Sequence, residues 1–195
     1  YDGQNHQRSI DERRAAVDAN WTHVVTLRDN LVGRGLPVPR LVAGGTGTFP
    51  IYAAMDDPTI EASPGTCIFF DAGFAKTFPD LPFTHAALVL TRVISRPGPD
   101  LITLDAGVKA VATDPPMASR LVFPDLPGAE TVLQHEEHLV LKTPRADDFV
   151  PGDELLAVPW HVCPTTALHR QVNVIRDAKC FETWDVVARD RRITV

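Results

Sequence analysis

His161 and Cys163 stand two residues apart in the stretch AVPWHVCPTTAL, between Pro159 and Pro164. On an extended segment both side chains would point to the same face, because side chains along a strand alternate with a period of two. An imidazole nitrogen and a thiolate sulfur together suit zinc. Two protein ligands are too few for a closed structural site, so a metal bound here keeps open positions for water or substrate, which is the catalytic arrangement. The alternative is that Cys163 is a small apolar core residue and His161 its hydrogen-bonded neighbour.

A glycine-rich stretch, GGTGT from Gly44 to Thr48, follows a predicted strand and precedes a short predicted helix. Consecutive glycines let backbone N–H groups turn toward one point, and a helix N-terminus adds a positive dipole. The hydroxyls of Thr46 and Thr48 are further donors. The stretch therefore predicts a phosphate site, with a flexible strand-to-helix turn as the alternative. Neither a P-loop lysine nor the spacing of a dinucleotide-binding loop is present, so ATP and NAD are not indicated.

Titratable side chains also concentrate in QHEEHLVL, residues 134–141, which is predicted to be a strand. There Glu136 and His138 share one face, so a carboxylate could orient an acid/base histidine. A solvated strand with compensating charges is the alternative. We interpret Lys109 as a surface lysine, because nothing nearby is apolar enough to lower its pKa. Cys67 and Cys180 are interpreted as structural residues.

The elements that must position these residues change in character along the chain. Ser9 and Glu12 form a capping-box pattern that begins a predicted helix, which runs to about Leu36 with apolar residues at near-helical spacing from Ala16 to Leu31. A short strand at PRLVAGG and a second one over Cys67–Phe70, buried on both faces, indicate a parallel α/β arrangement. Two buried parallel strands and one helix cannot cover themselves, so residues 1–75 are interpreted as the last part of a (β/α)8 barrel.

The sequence pattern of residues 76–195 differs from that of the first part, since it predicts short strands between turns of Pro, Gly and Asp and no long helix. They include a pair of strands about the turn RPGPD and an alternating pattern after Arg170. This pattern is typical of a mostly antiparallel β domain. The predicted fold class is therefore α/β plus β, with the boundary near residue 76.

Charge and composition argue against several classes of protein. The 195 residues carry a net charge of −6, and no Lys/Arg-rich run interrupts them, which argues against a nucleic-acid or membrane surface. No apolar stretch is long enough to span a bilayer, and the polar start is not a signal peptide. Three scattered cysteines do not form a disulfide framework and favour a reducing, cytoplasmic setting. Because the chain begins at Tyr1 in mid-pattern, we expect it to be part of a larger protein.

An ordered set of stretches resembles the D-threonine aldolase and D-serine dehydratase-like family. They are GGTGTF, PGTCIFFDAGF, LDAGVKAVATD, LQHEEHLVL, PGDELLAVPWHVCPTTAL and WDVVARD, and together they cover nearly the whole chain. The resemblance implies a pyridoxal-phosphate enzyme of the alanine-racemase fold, with a (β/α)8 barrel followed by a β domain. It further implies that His161 and Cys163 bind a divalent metal, Zn or Mn, beside the cofactor. Gly45, Thr46, Gly47 and Thr48 correspond to the family's phosphate cup, and Tyr1 lies close to the cofactor.

The resemblance implies a lyase that cleaves D-β-hydroxy-amino acids to glycine and an aldehyde. His138 is the candidate acid/base residue, because it is a titratable group on a predicted strand of the same β domain. A D-serine or D-3-hydroxyaspartate dehydratase is the alternative on the same scaffold, and the HVC pair is closer to the dehydratase pattern. The family's cofactor lysine belongs to an upstream strand that this chain does not contain. A homodimer is the expected assembly. Two rivals from other classes are a metal-free amino-acid racemase and a non-catalytic β module.

Overall fold

The computed structural model describes residues 1–190 and 192; the predicted β domain also includes residues 191 and 193–195, which lie outside the described part. The chain forms two compact units. The first unit contains residues 1–70 and 74–84, and the second contains residues 71–73 and the chain from His85 onward. The sequence-based division into residues 1–75 and 76–195 stays a prediction.

Four helices and ten strands form the described part of the chain. The helices are α1 (Ile10–Gly33), α2 (Phe49–Ala53), α3 (Ala72–Thr77) and α4 (Val162–Leu168). The strands are β1 (Leu41–Ala43), β2 (Ile60–Ala62), β3 (Val89–Gly98), β4 (Leu101–Leu104), β5 (Leu121–Val122), β6 (Glu130–Gln134), β7 (Leu139–Lys142), β8 (Glu154–Pro159), β9 (Gln171–Arg176) and β10 (Lys179–Asp185). No described helix is long and apolar enough to cross a membrane.

Helix α1 begins as its sequence predicts. The Ser9 side chain accepts a hydrogen bond from the Glu12 N–H, and the Glu12 carboxylate accepts one from the Ser9 N–H, which completes the capping box. The helix ends at Gly33, three residues before the predicted end. Its buried residues are Arg13 and Val17, whereas Leu27 within the predicted apolar series is 61% exposed. The apolar spacing therefore predicted the helix correctly but not its buried face.

The first unit contains a parallel strand pair, but its second strand is not where the sequence predicted it. Strand β1 pairs in parallel with β2, with Leu41 opposite Ile60 and Ala43 opposite Ala62. The predicted strand over Cys67–Phe70 is wrong. Thr66–Ile68 forms a 3-10 turn, and the Phe70 N–H donates back to the Thr66 carbonyl at 2.6 Å.

The reason lies in the hydrogen bonding and exposure of that apolar run. The Cys67 N–H donates to the Thr46 hydroxyl at 3.1 Å and so does not enter a strand ladder. Phe70 has a φ of +45°, which a strand does not contain. Ile68 is 68% exposed, while Phe70 packs with Phe78 and Leu81. The run is thus a local turn with one core residue.

The second unit is built on a six-stranded sheet with the order β5-β8-β3-β4-β7-β6, and every pairing in it is antiparallel. This matches the prediction of a mostly antiparallel domain, including the strand pair about RPGPD. Its core consists of inward-facing residues of the sheet and the loops that cover it, among them Val93, Ile102, Leu104, Leu139, Leu141 and Ala157. Strands β9 and β10 form a separate antiparallel hairpin.

Candidate active-site elements

His161 lies at the junction between strand β8 and helix α4. It is the N-cap residue of α4 with extended backbone angles, and Cys163 lies in the first turn of that helix. The pair therefore does not lie on one extended segment, which was the condition for both side chains to share a strand face. The chain instead turns into a helix directly after His161. Cys163 is solvent-exposed, as its position in the first turn of a surface helix allows. A strand-to-helix junction presents both residues from a fixed backbone.

Buried hydrogen bonds hold this junction in place. Asp71, only 1% exposed, accepts a hydrogen bond from the Val162 N–H at 2.9 Å and so caps the start of helix α4. Thr165 donates its hydroxyl proton to the His161 carbonyl at 2.7 Å. The Gly73 N–H donates to the Trp160 carbonyl at 3.0 Å. A Cβ at Gly73 would lie 2.6 Å from that carbonyl oxygen, so only glycine fits there.

The imidazole of His161 has one carboxylate partner. Its Nδ1 lies 2.6 Å from Oδ2 of Asp114, and both side chains keep contact with solvent. No hydrogen bond within the described residues uses the other ring nitrogen, Nε2. Nε2 is therefore the nitrogen left for a ligand or a metal.

The donor chemistry fits a metal with open coordination positions. Among residues 1–190 and 192, no three His, Cys, Asp or Glu side chains form a group that could enclose an ion. His161 and Cys163 would thus supply an imidazole and a thiolate, and water or substrate would supply the remaining ligands. Such a site would differ from structural zinc sites, which use four protein ligands.

The glycine-rich loop connects β1 to α2 in the first unit. Thr46 and Gly47 are buried, and their N–H groups make no hydrogen bond within the described part of the chain. The Thr46 hydroxyl accepts from the Cys67 N–H and keeps its own proton for donation. Two buried N–H groups and one hydroxyl are suitable donors for a phosphate.

Thr48 differs from the prediction that its hydroxyl donates to a phosphate. Its hydroxyl donates to Oδ1 of Asp2 at 2.8 Å, and its N–H donates to the Gly45 carbonyl at 3.1 Å. Asp2, itself 9% exposed, also accepts from the Tyr52 hydroxyl at 3.2 Å. Burial, followed by the charge of Asp2, raises the pKa of Tyr52 to about 12. Thr48 is therefore bound to the nearby carboxylate and shapes the loop.

Close packing also explains two glycines of this loop. A Cβ at Gly47 would lie 2.8 Å from the ring of Phe78, so no larger residue fits. A Cβ at Gly45 would lie 3.2 Å from Cε2 of Tyr1, which places the Tyr1 ring over the loop. Tyr1 thus lies close to Gly45, although Tyr1 is 96% exposed. The cofactor-binding role of this group of residues stays a prediction.

The HEEH residues do not form a strand. His135 to His138 make the turn between β6 and β7, closed by a hydrogen bond from the His135 N–H to the His138 carbonyl at 2.8 Å. The prediction that Glu136 and His138 share a strand face is wrong, because the strands end on either side of them. All four side chains are exposed.

Lys109 pairs with two carboxylates of this turn. Its ammonium lies 2.8 Å from Glu137 and 3.1 Å from Glu136. The hydrogen bond to Glu137, then that to Glu136, raises the pKa of Lys109. A raised pKa keeps the amine protonated, which agrees with a surface lysine and not with a nucleophile.

Sequence reasoning did not single out Asp114, Asp2 or Arg13. Arg13 is completely buried and donates from Nε to the Gly47 carbonyl at 2.8 Å, so it fixes the glycine-rich loop from helix α1. The only signals available were the position of Asp114 at the end of LDAGVKAVATD and of Asp2 beside Tyr1. Nothing local separates these charges from ordinary surface charges.

Comparison with known proteins gives consistent matches. The family profile described as putative serine dehydratase domain matches residues 86–175. D-threonine aldolase from Arthrobacter sp. is 32% identical over 193 residues, covering 94% of this chain and 48% of the relative. The crystal structure of D-threonine aldolase from Filomicrobium marinum has a TM-score of 0.85 at 29% identity, covering 97% of this chain and 52% of that one.

A third match concerns the fold. The crystal structure of an alanine racemase-like protein from Idiomarina loihiensis has a TM-score of 0.75 at 22% identity, covering 94% of this chain and 53% of that one. These likenesses confirm the predicted fold class, the last part of a (β/α)8 barrel followed by a mostly antiparallel β domain. The chain spans about half the length of the curated relatives it matches first.

Proposed function

Because this chain belongs to the D-threonine aldolase and D-serine dehydratase-like family, we propose that it forms part of a lyase that acts on D-β-hydroxy-amino acids with pyridoxal 5'-phosphate and a divalent metal. The reaction we propose is retro-aldol cleavage to glycine and an aldehyde. The observation that carries the proposal is the strand-to-helix junction, where His161 and Cys163 stand two residues apart on a backbone held by the hydrogen bonds from Val162 to Asp71 and from Thr165 to His161.

In this proposal His161 and Cys163 bind the metal. His161 contributes Nε2, because its Nδ1 is engaged by Asp114. Cys163 contributes its thiolate from the first turn of α4. A divalent ion, when bound, supplies a Lewis acid that withdraws charge from the β-hydroxyl or carboxylate of the substrate. Zn suits the nitrogen and sulfur pair, and Mn is the other candidate.

The glycine-rich loop binds the cofactor phosphate in this proposal. The N–H groups of Thr46 and Gly47 and the hydroxyl of Thr46 donate to it, while Gly45 and Thr48 hold the loop in shape. Pyridoxal phosphate, when bound, supplies an electron sink for the carbanion that cleavage leaves behind. Tyr1 lies over the loop at Gly45 and is a candidate contact for the cofactor.

A dehydratase is the second candidate function, and two observations favour it. One is the sulfur ligand Cys163, and the other is the serine dehydratase description of the matching family profile. Elimination on the same residues would break the C–O bond of the β-hydroxyl and give a 2-oxo acid after hydrolysis. The same two metal ligands serve both reactions, so the product decides between them.

The test uses the full-length protein that contains this chain. Metal content and turnover of D-threonine and D-serine are measured for the parent and for a His161→Ala, Cys163→Ala double variant. A second double variant, His23→Ala with Cys180→Ala, removes the same two residue types at exposed positions elsewhere. We expect about one divalent ion per chain in the parent and in this control.

We expect the His161, Cys163 variant to lose both the ion and turnover. Glycine as product supports the aldolase, and a 2-oxo acid supports the dehydratase. A parent protein that turns over substrate with no metal, indifferent to the His161, Cys163 change, refutes the metal site and favours the racemase. A parent protein that turns over neither substrate refutes the lyase and favours the non-catalytic module.

A further inference from the structure

We propose that Asp114 is a positioning residue that fixes the imidazole of His161 so that its Nε2 faces the metal. The inference rests on the proposed metal-binding function of His161. Asp114 lies 47 residues before His161 in the sequence, and its side chain contacts the imidazole. Three further contacts, at Ala110, Ala112 and Thr113, hold the loop that carries this carboxylate.

The contact between the two residues is short and specific. Oδ2 of Asp114 lies 2.6 Å from Nδ1 of His161. A carboxylate accepts only, so the proton of a neutral imidazole is placed on Nδ1 and the lone pair on Nε2. A metal-bound histidine generally donates its second nitrogen to a carboxylate or carbonyl, which fixes the tautomer and the ring orientation. The Asp114–His161 contact is of that kind.

The loop that carries Asp114 is tied to helix α4. The Ala112 N–H donates to the Thr165 hydroxyl at 3.1 Å, and that hydroxyl donates to the His161 carbonyl at 2.7 Å. Thr165 is 4% exposed, so this relay is shielded from water. One buried hydroxyl thus connects the backbone two residues before Asp114 to the backbone of His161 itself.

Two more contacts hold the same loop. His169, at the end of α4, lies with Nε2 2.8 Å from the Ala110 carbonyl. The guanidinium of Arg120 donates to the Thr113 carbonyl at 3.0 Å. The backbone is therefore anchored at Ala110, Ala112 and Thr113 on the approach to Asp114. Because the backbone before Asp114 is fixed, its carboxylate can orient the imidazole ring of His161. A carboxylate on a mobile surface loop could not.

A contribution to stability alone would not require this arrangement. The side chains of His161 and Asp114 are 39% and 55% exposed, and exposed ion pairs contribute little to folding. The contact orders a side chain whose other nitrogen is left for a ligand. Its effect should therefore appear in metal affinity and in the metal's coordination spectrum.

The first measurement is the affinity of the full-length protein for Zn²⁺, by competition with a chromophoric chelator. We compare the parent, Asp114→Asn and Asp114→Ala with the same changes at Asp148. Asp148 is the matched control, because its side chain is also 55% exposed and also forms an exposed ion pair, with Arg145. We expect Asp114→Ala to weaken binding by about 10- to 100-fold. Asp114→Asn keeps an acceptor oxygen and should weaken binding less.

The second measurement is the visible spectrum of the Co²⁺-loaded protein. We expect its bands to change in Asp114→Asn and to stay as in the parent in Asp148→Asn, because only the first change alters the orientation of a ligand. Circular dichroism shows that each variant is folded, and Asp114→Asn carries the test if Asp114→Ala does not fold.

The outcomes separate the two proposals. If the parent binds Zn²⁺ and both Asp114 variants bind it with parent affinity and spectrum, the positioning role is wrong while the metal site stands. If Asp148 variants lose as much affinity as Asp114 variants, the effect is not specific and the positioning role is also wrong. If the parent binds neither ion, the metal site itself is wrong and the inference falls with it.

Discussion

Arg13 offers the most direct test of how the glycine-rich loop is held. Its side chain is completely buried, and all three of its nitrogens donate. Nε donates to the Gly47 carbonyl at 2.8 Å, and Nη2 donates to Asp80 at 2.7 Å. Nη1 donates to the carbonyls of Gln7 and Arg8 at 2.8 and 2.9 Å. We predict that Arg13→Lys loosens the loop and the start of helix α1 together.

The magnitude follows from the hydrogen bonds that lysine cannot keep. The acceptors of Arg13 are spread around a planar fork, whereas a lysine ammonium is a single point. A hydrogen bond to a charged group contributes about 1.5–3 kcal/mol net, so losing two of the four costs roughly 3–6 kcal/mol. We take roughly 3–4 kcal/mol as the expected loss, since the lysine keeps its charge near Asp80.

Hydrogen–deuterium exchange of the full-length protein is the suitable assay, because it reports local opening where unfolding is not two-state. Peptides that contain the first turns of α1 and residues 44–48 should exchange faster in Arg13→Lys by about two to three powers of ten. Arg14→Lys is the control, since Arg14 is the adjacent and exposed residue. Its opening free energy should change by less than about 0.5 kcal/mol. Equal exchange in the two variants would refute the reasoning.

Three further predictions concern single side chains. The pKa of Tyr52, raised to about 12, means that the folded state keeps a proton which the unfolded state loses above about pH 10. This stabilisation is complete below about pH 10 and is lost as pH rises through 12. The urea concentration at the unfolding midpoint should therefore fall across this window, by an amount that corresponds to roughly 1–3 kcal/mol. An equally steep fall in Tyr52→Phe would contradict this. If His138 is the acid/base group, His138→Ala should lower turnover by about 100-fold or more. His135→Ala, in the same turn, should leave turnover unchanged. Equal turnover in the two variants would refute the acid/base role of His138. Ser9→Ala should destabilise the first turn of α1 by about 1 kcal/mol, measured by exchange of the Glu12 amide, and an unchanged rate would mean that the capping box does not stabilise the helix.

Sequence-local features of the fold could be predicted, because their cause lies within a few residues. The capping box at Ser9 and Glu12 begins helix α1 where the pattern placed it. Strands β3 and β4 pair about RPGPD as predicted, although β3 runs through Pro97 to Gly98 and the reversal itself falls at Pro99 and Asp100. The alternating pattern after Arg170 became the hairpin of β9 and β10.

Features that depend on a distant partner could not be predicted. The apolar run Cys67–Phe70 has the composition of a buried strand, but the strand that pairs with β1 is Ile60–Ala62. A hydroxyl from Thr46 occupies the Cys67 N–H that a ladder would need. The shared face considered for His161 and Cys163 required an extended segment, but Asp71 caps a helix that starts between them. In both cases a side chain far along the chain satisfied a backbone donor and decided the local structure.

The same reasoning explains why the sequence suggested candidate site residues but not the residues that hold them in place. Histidine, cysteine and consecutive glycines are rare enough, and specific enough in their chemistry, to be recognised singly. Asp114 and Asp2 are common charged residues, and only their contacts 47 and 46 residues away give them a part in the site. Removing a metal ligand should therefore abolish binding, whereas removing a support should weaken binding in a graded way, with the conservative Asp114→Asn losing less than Asp114→Ala. A graded loss at Asp114, beside an abrupt loss at His161, is the pattern that distinguishes a positioned ligand from a cluster of equivalent surface residues.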